Sequence, residues 1–118
     1  MAQRVLIVDD LPEVRVLVRT RLRLSDGMDI VGEAESGTTA VQMARDLRPD
    51  AVVLDLKVPG VAGRSLFSAV TEASPSSRVV VFTAYEEDRA WYRARGVPVV
   101  PKEDLAALVT ELVGFEAR

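Results

Sequence analysis

The chain reads as an α/β protein: a doubly wound, five-stranded parallel sheet inside a three-layer sandwich. Three observations predict this. Short runs of β-branched and aliphatic residues recur at 5–8, 51–54, 79–82 and 97–100. They are short and apolar throughout, as strands buried on both faces of a parallel sheet are. Segments with helical periodicity alternate with them, and these supply the right-handed crossovers that parallel strands need. Finally, each run is closed by a polar residue: Asp9-Asp10, Asp55, Thr83 and, two residues on, Lys102.

The first strand is expected at 4–8. The first helix opens at Pro12, because proline suits the first helical position, where its missing N–H is no loss. Val14, Leu17, Val18 and Leu22 give it an apolar face, and it ends near Ser25-Asp26-Gly27. The second strand, 28–34, alternates Met28, Ile30, Gly32 and Ala34 with Asp29, Val31 and Glu33, the pattern of a more exposed strand. The second helix, 38–47, stops before Pro49. A third strand at 51–54, a third helix at 63–73 and a fourth strand at 78–82 follow. A short fourth helix runs from Glu86 to about Ala94, and the fifth strand is 97–100. The last helix, 103–113, carries a stripe of Leu105, Leu108, Val109, Leu112 and Val113. No repeat or linker divides the chain, so 1–118 is expected to form one domain.

Composition narrows the chemistry. The chain is 48% hydrophobic and 28% charged, ordinary for a globular protein. A net charge of −3 gives no global argument for nucleic-acid binding. There is no Cys, which removes disulfides and thiolate chemistry, and no His, which removes an imidazole base and nearly all zinc sites. A metal here would be held by oxygen, which suits Mg²⁺, Ca²⁺ or Mn²⁺. A strand starts almost at residue 1, with no room for a signal peptide, and no apolar run is long enough to span a bilayer. The expectation is a cytoplasmic protein without membrane contact.

In an open α/β sheet the carboxyl ends of the strands open onto one crevice. Asp9, Asp10 and Asp55 should meet there with the Thr83 hydroxyl and the Lys102 ammonium. Singly, each has an ordinary explanation as an acidic turn, a strand-end hydroxyl or a helix-flanking lysine. Together, in this order, they form a set able to hold a hard divalent cation and to carry a phosphoryl group on an aspartate. Pro59-Gly60, just after Asp55, favours a tight turn that bends the backbone back towards the crevice.

With these residues in place, the chain resembles a response-regulator receiver domain of two-component signalling. Asp9-Asp10 looks like the family's acidic pair. Leu54-Asp55-Leu56-Lys57-Val58-Pro59-Gly60, through Gly63, looks like its phosphoacceptor loop. Phe82-Thr83-Ala84 looks like its hydroxyl switch, and Lys102 like its site lysine. The resemblance implies a flavodoxin-like (βα)5 fold with strand order 2-1-3-4-5. It implies that Asp55 takes a phosphoryl group from a sensor histidine kinase, a histidine phosphotransfer protein or a small donor such as acetyl phosphate. It implies Mg²⁺, or Mn²⁺, held by Asp10, Asp55 and the backbone carbonyl of Lys57, with Asp9 acting mainly through water. Lys102 would neutralise phosphoryl charge, and Thr83 would move inward to report it. Such a domain catalyses only its own phosphorylation and dephosphorylation. Signalling would run through the fourth helix, fifth strand and last helix, to an output domain or effector, with homodimerisation on activation. Ile30-Val31-Gly32-Glu33-Ala34-Glu35 and Arg48-Pro49-Asp50 resemble receivers that precede a helix-turn-helix domain, and no such domain lies within 1–118.

The chain departs from the family in four places. Val99 stands where an aromatic is usual, three residues before the lysine. Pro101 precedes Lys102, and Glu103 follows it, where proline usually comes directly after the lysine. The segment from Thr83 to Lys102 is a few residues short, and Val58 replaces a common methionine. The alternative reading is therefore a degenerate receiver acting as a phosphorylation-independent interaction module. A flavodoxin-like cofactor binder is disfavoured because no Gly-rich loop follows the first strand. A phosphatase is disfavoured because no capping domain is present.

Other features stay open between two readings. Arg15, Arg19 and Arg23 form a stripe that is either a solvated face or a docking surface for an acidic partner. Trp91 and Tyr92 are adjacent on one helix and cannot both face inward, so one is expected in the core and the other either marks a partner surface or has no such role. Glu86-Glu87-Asp88 reads as an acidic helix start. Tyr85, two residues after Thr83, is expected to shield the acyl phosphate from water.

Overall fold

The computed structural model describes residues 2–84 and 88–116, the last two without their side chains. The expectations for Tyr85, Glu86 and Glu87 lie outside the described residues. Five parallel strands, β1 (Gln3–Val8), β2 (Met28–Ala34), β3 (Ala51–Leu54), β4 (Arg78–Thr83) and β5 (Val99–Pro101), lie in the order β2-β1-β3-β4-β5. The helices are α1 (Pro12–Arg23), α2 (Gly37–Leu47), α3 (Gly63–Ala73), α4 (Arg89–Arg93) and α5 (Leu105–Glu116). Both the doubly wound class and the strand order implied by the resemblance are those observed.

Strand alternation builds the three layers. Val5, Ile7, Ala51, Val53, Val80, Phe82 and Val100 face α1 and α5, packing on Val18, Leu22, Leu108 and Leu112. Leu6, Val8, Val52, Leu54, Val79, Val81 and Val99 face the other way, onto Ala40, Ala44, Leu66, Phe67, Val70 and Tyr92 of α2, α3 and α4. Since β1, β3 and β4 are covered on both faces, they are apolar at successive positions.

The structure moves several expected boundaries. Leu17 is 56% exposed, because Val14, Val18 and Leu22, four residues apart, already define the buried stripe. Ser36 caps α2, its hydroxyl accepting from the Thr39 amide at 3.1 Å, which starts that helix at Gly37. The described part of α4 is only Arg89–Arg93. β5 begins at Val99 rather than 97, since Gly96 turns with φ 74° and Pro98 has no N–H for the ladder. α5 starts at Leu105, after Asp104 has accepted a bond from the Ala107 amide.

Candidate functional site

Strand register carries Asp9 and Asp55 to the same level. The Asp55 amide donates to the Val8 carbonyl at 3.0 Å and the Asp9 amide to Ala34 at 3.0 Å, so each acid extends its strand's ladder by one residue. Asp9 is fixed on three sides. Its Oδ1 accepts from the Leu11 amide at 3.0 Å, its carbonyl accepts from Arg15 Nη1 at 2.7 Å, and its Oδ2 faces Lys102. Asp10, next in the chain, is exposed.

Asp55 is held from both ends. Oδ1 accepts from the Lys57 amide at 3.1 Å and Oδ2 from Lys102 Nζ at 2.9 Å. Lys102 Nζ is also 2.8 Å from Asp9 Oδ2. The contact is an ion pair, and Asp9 Oδ2 has no other partner among the described residues. Thr83 closes β4, nearly fully buried, and its carbonyl accepts from the Lys102 amide at 3.1 Å. Pro101 sits opposite Thr83 on the edge strand, where its missing N–H is tolerated, and the ladder resumes at Lys102. The rearranged proline therefore does not prevent the lysine from reaching the acids.

Burial pushes the Asp55 carboxyl up, more than Lys102 and the Lys57 amide pull it down, and Asp9 adds to the rise. Burial on its own would lower the Lys102 ammonium, but its contacts with Asp9 and Asp55 outweigh that and raise it. The site is thus an anionic cluster in which Lys102 is the cation paired with both buried acids. Asp9, Asp10 and Asp55 each bring a carboxylate oxygen within 4.8 Å of the others. Three carboxylates gathered around the Lys102 ammonium, with oxygens within 4.8 Å of one another, suit a hard divalent ion bound by oxygen.

The sequence-predicted residues divide as follows. Asp9, Asp55 and Lys102 are in direct contact, and Asp10 completes the carboxylate cluster. Lys57 joins through its amide, and Thr83 through its main chain to Lys102. Beside them a pocket of ≈ 350 Å³ is bounded by Leu56, Lys57, Gly63, Thr83, Asp88 and Tyr92. Tyr92 is the core member of the aromatic pair, edge-on to Phe67 at 5.3 Å. Trp91 is half-buried at the edge of the same core, with the Arg95 guanidinium 3.6 Å and that of Arg64 4.6 Å from its ring centroid. The Asp88 carboxylate does not cap α4; it pairs with Arg64 at 2.7 Å. Arg15 and Arg19 both pair with Glu33 of β2, so two-thirds of the basic stripe is a tie to the sheet.

Sequence reasoning missed Gly37. A Cβ there would lie 1.8 Å from the Val61 carbonyl oxygen, and its amide donates to Pro59 at 2.9 Å. This close approach locks the loop after Asp55 onto the start of α2. Nothing in local spacing announces a contact between residues 37 and 61.

Fold and strand-end cluster together define a receiver of bacterial two-component signalling. Residues 5–101 match the response regulator receiver domain family, and the chain belongs to it. It is 40% identical over 85 residues to the response regulator GacA of Pseudomonas viridiflava, covering 72% of this chain and 40% of GacA. It is 35% identical over 94 residues to the nitrate/nitrite response regulator protein NarL of Escherichia coli K12, covering 78% of this chain and 44% of NarL. The chain therefore spans less than half the length of these curated relatives. A crystal structure of a LuxR-family two-component response regulator from Aurantimonas sp. SI85-9A1 matches with TM-score 0.86 at 28% identity, over 100% of this chain and 88% of that one. Among the described residues no helix is long and apolar enough to cross a membrane.

Proposed function

We propose that this receiver is a phosphorylation-activated switch in which Asp55 is the phosphoacceptor. The observation that carries the reading is the Asp55 carboxylate itself, buried at the end of the central strand between the Lys57 amide and the Lys102 ammonium, beside Asp9. An ionised Asp55 oxygen attacks phosphorus, and the bond from phosphorus to the donor's nitrogen or oxygen breaks. The donor is a phosphohistidine of a sensor kinase or phosphotransfer protein, or a small acyl phosphate. Lys102, already on Oδ2, follows the negative charge onto the phosphoryl oxygens, and the Thr83 hydroxyl turns to donate to one of them. Fixed charges of this kind supply most of what phosphoryl transfer needs.

Asp10, Asp55 and the Lys57 carbonyl would hold Mg²⁺ or Mn²⁺, with Asp9 contributing through water. When bound, the ion would supply positive charge to the phosphoryl oxygens and offset repulsion among the carboxylates. Phosphorylation is then read through α4, β5 and α5 by an output domain or effector in the cytoplasm, with pairing of two receivers as one route. The Lys102 contacts with both acids support this reading over the degenerate, phosphorylation-independent one, which rests on the rearranged lysine segment and on Val99 in place of an aromatic.

The test is intact-mass measurement after incubation with Mg²⁺ and acetyl phosphate. One phosphoryl group should appear on the wild type and be absent from Asp55→Asn and from metal-free samples. A phosphoryl mass that persists in Asp55→Asn would refute the assignment.

A further inference from the structure

Tyr92 carries a hydroxyl that the mechanism above does not use. The side chain is 1% exposed, and its hydroxyl has no hydrogen-bond partner among the described residues. A buried hydroxyl left unpaired is costly and calls for a physical reason. The ring itself is firmly placed, edge-on to Phe67 at 5.3 Å and to Trp91 at 4.9 Å. It walls the same ≈ 350 Å³ pocket as Thr83. Two hydroxyl-bearing residues thus line one space.

The helix that bears Tyr92 depends on its packing for stability. The described α4 is five residues long, too short to be stable apart from its packing. It begins at Asp88, a non-glycine residue with φ 62°, and has no side-chain cap. One tie at its start is the half-exposed Arg64–Asp88 pair, which contributes little to stability at such exposure. On β5 the position three before the lysine is Val99, which is stiff at χ1 and has no polar atom.

We propose that Tyr92 is the positioning residue that couples the phosphoacceptor site to α4, its hydroxyl donating to Thr83 Oγ1 when Thr83 donates to a phosphoryl oxygen on Asp55. This rests on Asp55 being the phosphoacceptor. A threonine hydroxyl has one proton and two lone pairs. Once its proton is committed to an anion, its oxygen becomes a better acceptor. The chain would run from Tyr92 O–H to Thr83 O–H to the phosphoryl oxygen, drawing α4 across the pocket. Such a bond forms in one state only, so it biases the two-state equilibrium of α4 rather than stabilising both states.

The experiment uses Mg²⁺ and beryllofluoride, which stands in for the phosphoryl group on a carboxylate, read by fluorescence of Trp91, the chain's one tryptophan. Tyr92→Phe should bind beryllofluoride about 3- to 10-fold more weakly than wild type, the range set by one hydrogen bond. Its Mg²⁺ affinity without beryllofluoride should be unchanged, and its ligand-free melting temperature no lower. In a Thr83→Val background, the further change Tyr92→Phe should have no effect on beryllofluoride affinity. Equal affinities of wild type and Tyr92→Phe would overturn the coupling alone. So would a loss that falls equally on Mg²⁺, because that is a merely structural effect. A wild type that bound no beryllofluoride would instead overturn the reading of Asp55, and this inference with it.

Discussion

Lys102 Nζ stands 2.9 Å from Asp55 Oδ2, bridging residues 47 positions apart across two strands. The main chain sets this contact: the Lys102 amide is bonded to the Thr83 carbonyl at the end of β4. The lysine is therefore placed by sheet register, whichever side its neighbouring proline occupies. One ammonium serves two buried acids, Asp9 and Asp55, and that shortage of positive charge shapes the behaviour of the metal-free protein.

The first consequence concerns pH. The Asp55 carboxyl is raised in the folded state, chiefly by burial. The folded protein therefore keeps this proton to a higher pH than the unfolded chain does. Across that window the folded state binds more protons, so stability falls as pH rises from the ordinary carboxylate range near about 4 through the folded value. In chelator, Asp55→Asn should be more stable than wild type at neutral pH, by on the order of 1 kcal/mol. The gain should shrink towards about pH 4. Thermal melts across this range check it, and a variant less stable at neutral pH would contradict it.

A second expectation separates the acidic pair. Asp9 is buried and engaged by the Leu11 amide and Lys102, whereas Asp10 is exposed beside the cluster. Asp10→Ala should weaken Mg²⁺ binding by at least about tenfold, and Asp9→Ala by less. Calorimetric titration measures both, and near-equal dissociation constants would remove the distinction.

How much of this was legible beforehand follows from what each residue depends on. Val5–Val8, 51–54 and 79–82 are apolar because both sheet faces are covered, a local signal that also locates the acids at the strand ends. The convergence of those ends is a property of any parallel sheet, so proximity of Asp9 and Asp55 could be anticipated. The order β2-β1-β3-β4-β5 came from family resemblance, not from periodicity. What stayed hidden depends on distant contacts. The Arg15 and Arg19 ties to Glu33, the Gly37 approach to Val61 and the orphan hydroxyl of Tyr92 have no signature in spacing. The start of β5 was misplaced because Val97 and Pro98 look apolar, yet the turn at Gly96 and the missing N–H of Pro98 delay the ladder.

The Gly37 contact makes a third prediction. Gly37→Ala would drive a methyl group into the Val61 carbonyl, which cannot yield without moving the loop that follows Asp55. The variant should lose about 1–3 kcal/mol of stability. It should also accept phosphoryl from acetyl phosphate more slowly at temperatures where it is still folded. Denaturant unfolding and a phosphorylation time course check the two effects, and a neutral result in both would show that the loop is not braced by α2.

Activation should be visible along α4. Hydrogen exchange with and without Mg²⁺ and beryllofluoride should change most over residues 83–95 and little across Val99–Pro101. A response confined to the loop after Asp55 would mean that Thr83 does not act as a switch.

The buried carboxylate beside Lys102 is expected to carry the phosphoryl group. Borohydride reduces an aspartyl phosphate to homoserine, marking the modified residue permanently. After treatment with Mg²⁺, acetyl phosphate and borohydride, peptide mass spectrometry should find homoserine at position 55 and aspartate at positions 9 and 10. Homoserine at position 9 or 10, or none in a protein that demonstrably binds Mg²⁺, would rule out Asp55 as the phosphoacceptor.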